Sequence, residues 1–600
     1  MKKKLMLSVL TFGAVALASC QSPVDTKIAE TSSTGENSPS ESLIESSKEN
    51  ESVKSSEEAS EESSAESSEE SSAESSEQPS EESSEESSTE SSNENVKNIK
   101  KSFVEGNMTD FSKYEGTEHY VKVSTVDELV KAIEAAKDDY TTTWDDASNT
   151  YTQTMNKEGN VSVIEITQDI NLGYNKLSSE SKASSVTEDY CRKQTRQLKG
   201  GYSQSEMLKE NGITLVKIER TNGLKIYSKN GSKLTHGGFQ VSMSSDIEFA
   251  NLEMDEMWQW EDANTTTPSF KVGDYDVFGW AYFKISFSNN IFIHNCSFGK
   301  SYDGQIDISD SGYWTSKGVA ELRAPYGEDR VSNITIQDCD FRAGSDDPNG
   351  YIAKMMAEIE EDYQANLADL TKCKYQYYAT LRSHYNLTAE QIVKAIALNQ
   401  KKGFLCGDNS TVKDYNYYAK INFDRCRFTN VEDRLPKVRG GFVYMSNCIY
   451  DSTTYYAARQ ILATSDATKI KNYNNKYKCS DTSQGIVGSF EADIVAENCV
   501  FIGIKELIKN NETYKDEYAQ YTDKQKTGGF MLINCLYDED VTGNYTKLDT
   551  IENPECIQGI NLISVEEFNW HNAENEREIQ PDTLDVNSLA NLLTNCGVSK

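Results

Sequence analysis

The sequence predicts an all-β fold: a right-handed, single-stranded parallel β-helix with an N-terminal capping helix and a helical insertion. Three observations favour it. Short alternating strands recur through the second half of the chain, each closes with the same four-residue pattern, and Asn-Gly or Asp-Gly hairpin signals between them are few. An antiparallel β-sandwich, whose strands would recur about every 8 to 12 residues, is the disfavoured alternative.

The first 20 residues have the features of an export signal. Three lysines precede an apolar run from Leu5 to Ala18, and the stretch LASC ends at Cys20. The run is too short for a spanning helix, and small residues before a cysteine resemble the lipobox of bacterial lipoproteins. We expect Cys20 to be lipidated and to anchor the protein outside the bacterial cell membrane. An ordinary cleaved signal with a chance cysteine is the alternative.

Residues 21–100 are almost entirely Ser, Glu, Asn and Thr, with the imperfect repeat EESSAESSEESSAESSEQPSEESSEESS. Because hardly any apolar residue is available for burial and like charges repel, this segment is predicted to be a disordered tether. The formal net charge is −36, and residues 101–600, the predicted β-helix domain, are acidic in their own right. This argues against nucleic acid as a partner, because phosphate binding draws on clustered Lys and Arg.

Six motifs define the predicted coils, each a polar residue, a cysteine, a variable residue and an aromatic residue after an alternating strand. They are NCSF at Asn295, DCDF at Asp338, RCRF at Arg425, NCIY at Asn447, NCVF at Asn498 and NCLY at Asn534, with looser matches at Asn251 and Asn474. From Arg425 through Asn447 and Asn474 to Asn498 the intervals are 22, 27 and 24 residues, which suits one coil per repeat. We expect the six cysteines to be small buried fillers; the pairing of the others stays open.

Two helical segments interrupt the β pattern. STVDELVKAIEAAK from Ser124 has a Ser-x-x-Glu capping box and apolar residues at helical spacing, so we expect a helix over the N-terminal end of the coil. Residues 352–400 hold two further periodic stretches, and Thr388 with Gln391 forms a second capping box. This insertion ends beside Lys402, and we expect it either to narrow the cleft or to be a packing appendage.

Five stretches resemble, in order and relative role, the motifs of pectate lyases of polysaccharide lyase family one. They are GSKLTHGGFQVSMSSDIEFANLEM, NNIFIHNCSFGKSYDGQIDI, KKGFLCG, EDRLPKVRGGFVYMSN and VGSFEADIVAENCVF, and the resemblance covers roughly residues 120–540. Its most specific element is Arg-x-Pro-x-x-Arg after a strand, whereas Asp-Gly-x-x-Asp also occurs in ordinary turns. The resemblance implies cleavage of an acidic polysaccharide, polygalacturonate or pectin, by β-elimination. We expect the enzyme to be a monomer.

The resemblance also implies roles for individual residues. Arg434 corresponds to the catalytic base, and Arg439 to the clamp on the substrate carboxylate. Lys402 corresponds to a lysine that binds a substrate carboxylate. Asp303 and Asp307 correspond to two ligands of Ca²⁺, which would bridge protein and substrate carboxylates. Plainer alternatives are a surface salt-bridge pair for the arginines, a solvated lysine, and turn residues for the aspartates.

The implied base suits the chemistry. The proton on carbon 5 lies next to a carboxylate and is barely acidic, because its removal places a second negative charge on that group. Histidine, with a pKa of about 6.5, matches such a proton poorly, whereas arginine at about 12.5–13.8 is a strong base once neighbouring cations favour its neutral form.

One family position departs from the pattern. A further calcium-binding aspartate usually stands where FGWAYFKISFSNN has Trp280. Asp274 and Asp276 lie just upstream and are candidate substitutes or plain loop carboxylates, and Trp280 either packs in the core or stacks on a sugar. The departure favours one other function, a non-catalytic polysaccharide-binding or adhesin-like surface lipoprotein. A pectin hydrolase, which would share the β-helix but use clustered aspartates, is the less favoured alternative because no stretch resembles that cluster as well as the arginine motif resembles the lyase one.

Overall fold

The computed structural model describes residues 98–101, 108–145, 150–191, 205–260, 279–308, 332–407, 419–464, 483–489, 492–510, 528–563, 575–578 and 586–599. Cys20, the tether up to residue 97, Asp274, Asp276 and the loose motif at Asn474 lie outside these residues. Within the described part, no helix is long and apolar enough to cross a bilayer.

The described part of the chain is built mainly from short strands. In chain order they are β1 (Asn98–Lys101), β2 (Tyr120–Val123), β3 (Asp139–Asp145), β4 (Thr150–Lys157), β5 (Val163–Ile166), β6 (Ile170–Asn171), β7 (Thr187–Asp189), β8 (Thr214–Glu219), β9 (Lys225–Tyr227), β10 (Lys233–Thr235), β11 (Gly237–Ser242), β12 (Ser245–Ala250), β13 (Glu253–Asp255), β14 (Phe283–Ser286), β15 (Asn289–His294), β16 (Ser297–Phe298), β17 (Ile306–Ile308), β18 (Ser332–Gln337) and β19 (Asp340–Phe341). They continue as β20 (Gln400–Lys402), β21 (Phe404–Cys406), β22 (Lys420–Asp424), β23 (Arg427–Thr429), β24 (Val431–Asp433), β25 (Lys437–Arg439), β26 (Phe442–Ser446), β27 (Ile449–Asp451), β28 (Gln484–Ser489), β29 (Asp493–Glu497), β30 (Val500–Ile502), β31 (Glu506–Asn510), β32 (Gly529–Ile533), β33 (Cys535–Asp538), β34 (Thr546–Leu548) and β35 (Asn575–Glu578).

In the described residues, helices are few and mostly short. They are α1 (Val126–Ala136), α2 (Ser179–Ala183), α3 (Glu206–Asn211), α4 (Tyr351–Ala365), α5 (Gln376–Ser383), α6 (Ala389–Ile392), α7 (Thr453–Thr464) and α8 (Val586–Leu592). A π-helical turn, Val393–Ala397, follows α6 directly. Single 3-10 turns lie at Phe111–Lys113, Tyr174–Lys176, Leu370–Lys372, Pro554–Cys556 and Leu593–Asn595.

Three long sheets surround one apolar core. Sheet A contains β7, β8, β11, β14, β17, β21, β25, β28 and β31; sheet B contains β2, β5, β9, β12, β15, β18, β22, β26, β29 and β32; sheet C contains β6, β10, β13, β16, β19, β23, β27, β30, β33 and β34. Each full coil runs from sheet A to B to C and returns by a turn to sheet A. All pairs in the sheets are parallel except β7 with β8 and β33 with β34, at opposite ends. The predicted parallel β-helix is confirmed, and the β-sandwich is excluded.

The repeated motif forms the corner between sheets B and C. Its first residue adopts a left-handed backbone at every described repeat, with φ of 55° at Asn251, 51° at Asn295, Asp338 and Arg425, 56° at Asn447, 52° at Asn498 and 47° at Asn534. Asn and Asp are the non-glycine residues that tolerate this conformation best. Arg425 suits it least, and its guanidinium donates two hydrogen bonds to the Asp338 carboxylate, at 2.8 and 3.0 Å.

The motif cysteines fill the interior behind this corner. Cys296, Cys339, Cys426, Cys448, Cys499 and Cys535 are all free thiols and all fully buried. Their thiols donate to backbone carbonyls; that of Cys448, for example, lies 3.2 Å from the Ser446 oxygen. The prediction that they are fillers is confirmed. The other described cysteines, Cys191, Cys373, Cys406, Cys556 and Cys596, are also free.

The aromatic residues of the motif stack in a row along the coil axis. Ring centroids are 4.9 Å apart between Phe298 and Phe341, 4.3 Å between Phe341 and Phe428, 4.6 Å between Phe428 and Tyr450, and 4.9 Å between Tyr450 and Phe501. Such pairs add about 0.5–1.5 kcal/mol each to the gain from burial. The row therefore supports the register that the parallel pairing of the sheet C strands sets between successive coils.

Both predicted helical segments are present, with one correction. The N-cap of α1 is Thr125 and not Ser124: Thr125 accepts from the backbone of Glu128, whose side chain accepts from the backbone of Thr125. The sequence places Glu three residues after Thr125, so only Thr125 can form a capping box with Glu128. Apolar residues of α1, Leu129 and Ile133 among them, belong to the core.

The insertion begins with α4 and ends in β20. The predicted capping box of Thr388 and Gln391 is present at the start of α6. The segment replaces the turn between β19 in sheet C and β21 in sheet A. In the coils before and after it, the same turn carries the candidate site.

Candidate active site

The predicted site residues gather at the turns from sheet C to sheet A in consecutive coils. Asp303 lies in the turn before β17, Lys402 ends β20, and Arg434 precedes β25. Asp307 and Arg439 lie on β17 and β25 of sheet A itself. Because parallel strands stack in register, residues nearly 100 positions apart in the chain become neighbours.

Two buried carboxylates form the centre of the cluster. The Lys402 ammonium lies 2.7 Å from Asp303 Oδ1, and one terminal nitrogen of Arg434 lies 3.8 Å from Asp303 Oδ1 and 4.0 Å from Asp307 Oδ1. The exposed fractions are 0% for Asp303, 8% for Asp307, 7% for Lys402 and 6% for Arg434. Charges this deeply buried are maintained only by mutual compensation. The arrangement differs from both a solvated lysine and an exposed arginine pair.

Hydrogen bonds of the Arg434 backbone fix the turn that contains this residue. Arg434 has a left-handed φ of 65° and precedes a cis peptide bond between Leu435 and Pro436. Its amide donates to Asp433 Oδ1 at 2.7 Å, and its carbonyl accepts from the Phe404 amide at 2.8 Å. An L-residue rarely adopts this conformation without support, so the contacts specify where the guanidinium starts.

Arg439 lies on β25, the strand that leaves this turn. It is 4% exposed, and one terminal nitrogen donates to the Gly407 carbonyl at 3.1 Å. The planar guanidinium can bind both oxygens of a carboxylate, as a clamp requires.

Gln400 joins two consecutive turns and was not singled out from the sequence. Its side-chain amide donates to Ser301 Oγ at 2.9 Å and to the carbonyls of Asp303 and Lys402, both at 2.8 Å. It is fully buried. A glutamine at the end of a helical insertion carries no recognisable signal, but here it fixes the two residues that form the closest ion pair of the cluster.

Lys284 is the second residue that sequence reasoning missed. It lies on β14 in direct register with Asp307 on β17, is 4% exposed, and its ammonium lies 5.7 Å from the ring centroid of Tyr190. Burial lowers the pKa of Lys284, but Tyr190, Asp307 and Asp303 act more strongly in the opposite direction and raise the pKa to about 12. Burial, followed by the Asp303 charge, raises the pKa of Asp307 above its ordinary value.

Trp280 is a packing residue. Its side chain is fully buried, its indole N–H donates to the Tyr190 carbonyl at 3.3 Å, and its ring meets the edge of Tyr302 at 5.3 Å. It offers no face to a sugar, and an indole cannot replace a carboxylate ligand. Asp274 and Asp276, the predicted substitutes, lie outside the described residues.

Comparison with known proteins identifies the relatives of this chain. No family model matches it. Pectate lyase B of Paenibacillus amylolyticus is 29% identical over 346 residues, which are 58% of this chain and 76% of that protein. The chain is a homologue of this pectate lyase.

A solved structure agrees with this homology. The pectate lyase pelN of Paenibacillus sp. 0602 is 26% identical with a TM-score of 0.58, and the match covers 75% of this chain and 85% of that one. Together with the three parallel sheets, this confirms the predicted fold. It also supports the predicted enzyme class for this pectate lyase homologue, a polysaccharide lyase.

The donor set fits a calcium ion poorly. Asp303 Oδ2 and Asp307 Oδ1 are buried without a hydrogen-bond partner and would be two suitable donors. Calcium takes six to eight oxygens, however, and in the described part of the chain no group of three or more acidic, His or Cys side chains is arranged so that it could hold a metal ion. The surrounding side chains are cationic instead: Lys284, Lys402 and Arg434. The residues described here do not complete a calcium site.

Proposed function

We propose that this protein is a cell-surface pectate lyase that cleaves polygalacturonate or pectin by β-elimination, with Arg434 as the base. The observation that carries the proposal is the buried cluster in which Arg434 and Lys402 converge on Asp303, at one corner of a β-helix homologous to pectate lyases. Cationic groups that recognise carboxylates are what a net acidic protein needs in order to bind an acidic polymer.

The reaction requires one proton acceptor and one stabilised anion. Arg434, in its neutral form, takes the proton from carbon 5 of the uronate. The electron pair of that bond forms the double bond between carbons 4 and 5, the bond from carbon 4 to the glycosidic oxygen breaks, and that oxygen takes a proton from water. Nearby cations favour loss of a proton from a guanidinium and stabilise the charge that accumulates on the substrate carboxylate.

Arg439 and Lys402 bind substrate carboxylates in this proposal. Arg439 provides a planar fork and Lys402 a point charge, and both lie on strands, which place side chains more reproducibly than loops. Because the chain resembles calcium-using enzymes, the assay also tests whether elimination depends on calcium. It is run once with added calcium and once with a chelator.

The decisive assay follows the ultraviolet absorbance of the unsaturated product while the purified protein acts on polygalacturonate. Absorbance should rise, and Arg434→Lys should abolish the rise because a lysine amine does not place a basic nitrogen where the guanidinium nitrogen of Arg434 lies. Arg342→Lys, outside the cluster and with a side chain 41% exposed, is the matched control and should act as wild type. A flat trace for the wild type at every pH, with every metal and on methylated pectins, would contradict the enzyme and favour a polysaccharide-binding surface protein.

The insertion is proposed to narrow the cleft, because it occupies the turn position that carries the site in adjacent coils and leads directly into Gln400 and Lys402. Deleting residues 352–398 should therefore lengthen or broaden the distribution of product sizes. Unchanged products would leave the insertion as a packing appendage.

The surface location is proposed from the lipobox-like stretch that ends at Cys20. Metabolic labelling with a fatty acid should tag the protein, and Cys20→Ala should remove the tag. A protein that takes up no label would be exported without this anchor.

A further inference from the structure

Lys284 lies in a row of side chains that crosses sheet A. Lys217 on β8, Gln240 on β11, Lys284 on β14 and Asp307 on β17 are in direct register. Neighbouring strands are about 4.8 Å apart, and residues paired in register point to the same side of a sheet. Lys284 therefore stands one strand before Asp307, on the side where Arg434 approaches that carboxylate.

The cluster is already cationic. Lys284, Lys402 and Arg434 contribute three positive charges and Asp303 and Asp307 two negative charges, and none of the five is more than 8% exposed. A divalent cation added here would raise the excess positive charge in a region where water screens it little. The approach of an anion, or the loss of a proton from one of the cations, lowers the electrostatic energy of this arrangement.

We propose that the Lys284 ammonium is a built-in counter-ion that takes the place of a divalent cation, so that the site binds and processes a uronate carboxylate without a metal ion. The inference rests on the proposed function for the identity of the substrate. While Arg434 is protonated, the cluster has a net charge of +1 with Lys284 and of zero without it. When Arg434 is in the neutral form that acts as the base, Lys284 keeps the net charge at zero, whereas without it the two aspartates would leave the cluster negative and repel the substrate carboxylate.

The first test measures metal binding and needs no activity. Isothermal titration calorimetry of the purified full-length protein with calcium chloride should show no site that depends on Asp307. Lys284→Asp places a third carboxylate beside the two aspartates and should create such a site, with a dissociation constant of about 1 mM or tighter. If the wild type binds calcium below about 0.1 mM and Asp307→Asn abolishes that binding, the proposal is overturned.

The second test measures elimination in chelator and in added calcium. The wild type should be equally active in both. Lys284→Met keeps the length of the side chain without its charge and should lower kcat/KM in chelator about 100-fold, the scale of losing one electrostatic group. Lys217→Met is the matched control: it lies on the same row of sheet A, and its ammonium is 2.8 Å from Glu188 outside the cluster. It should leave activity unchanged.

The outcomes separate this inference from the proposed function. If neither the wild type nor any variant forms unsaturated product, the proposed function fails. Calorimetry of the wild type then still decides whether the site binds calcium. If Lys284→Met is as active as the wild type in chelator, the counter-ion role is refuted. Circular dichroism and urea unfolding of both Lys284 variants confirm that a lost signal is not lost folding.

Discussion

The ion pair between Lys402 and Asp303 gives the most direct test of the energetics of the site. Its atoms are 2.7 Å apart, and the two residues are 7% and 0% exposed. Removing one partner of a buried pair costs about 3–5 kcal/mol, because the other charge stays buried and uncompensated. The cost of Lys402→Met should lie near the lower end of this range, since Arg434 still lies 3.8 Å from Asp303. The cost of Asp303→Asn should lie near the upper end, since the substitution leaves several cations facing one carboxylate.

The double variant separates this mechanism from simple loss of packing. With both partners removed, no charge is stranded, so the cost should be smaller than the sum of the single costs by at least about 1.5 kcal/mol. Urea unfolding followed by circular dichroism measures all three values. Lys131→Met is the exposed control: its ammonium is 3.5 Å from Glu180, with side chains 58% and 79% exposed, and it should cost under about 1 kcal/mol. Costs that add to within about 0.5 kcal/mol would refute the reasoning.

Three further predictions concern stability and positioning. Phe428→Leu removes two stacked contacts, at 4.3 and 4.6 Å, and should lower the free energy of unfolding by about 1–3 kcal/mol in urea titrations. Glu248 is buried, which raises the pKa of its carboxyl, but the hydrogen bonds it accepts outweigh burial and lower the pKa to about 2. Its stabilising contribution is complete above pH 4.5 and is lost as pH falls toward 2, so the stability difference between wild type and Glu248→Gln should narrow over that window. A Cβ at Gly304 would lie 2.8 Å from Asp307 Oδ1, so Gly304→Ala should lower the rate of elimination at least about 10-fold while the circular dichroism spectrum stays native.

Each of these has a contrary result. An unchanged urea midpoint for Phe428→Leu would mean that the aromatic row does not stabilise the coils. A stability difference for Glu248→Gln that is independent of pH would assign its effect to packing. Full activity of Gly304→Ala would show that the Asp307 carboxylate need not occupy its present position.

The coil repeat was predictable because the motif residues each have a geometric task. Asn at the corner tolerates a left-handed backbone, the cysteine fits a small interior space, and the aromatic residue stacks on its equivalents. The corner conformation itself did not follow from the sequence, because Arg425 takes it as well, with support from a side chain 87 positions earlier.

The site was predictable only where a motif marks it. Asp303, Asp307, Lys402 and Arg434 were found through the resemblance of their motifs to those of pectate lyases, and the structure brings them together. Lys284 was missed because FKIS has the composition of an ordinary buried strand. A lysine flanked by apolar strand residues is nevertheless a signal that the sequence offers. Its importance depends on a register between strands, which no local pattern specifies. Gln400 was missed for the same reason.

The return from sheet C to sheet A supplies Asp303, Lys402 and Arg434 from three consecutive coils, so the site is assembled across the chain and not along it. The spacing of these groups is set by the strand separation of about 4.8 Å and is independent of how many residues each turn contains. A turn can therefore acquire some sixty residues, as the one before β21 has, without displacing the chemistry on either side of it. If the insertion and the site act as proposed, cleft shape and catalytic geometry are encoded in separate parts of the sequence, and substrate preference can diverge while the candidate catalytic groups stay in place.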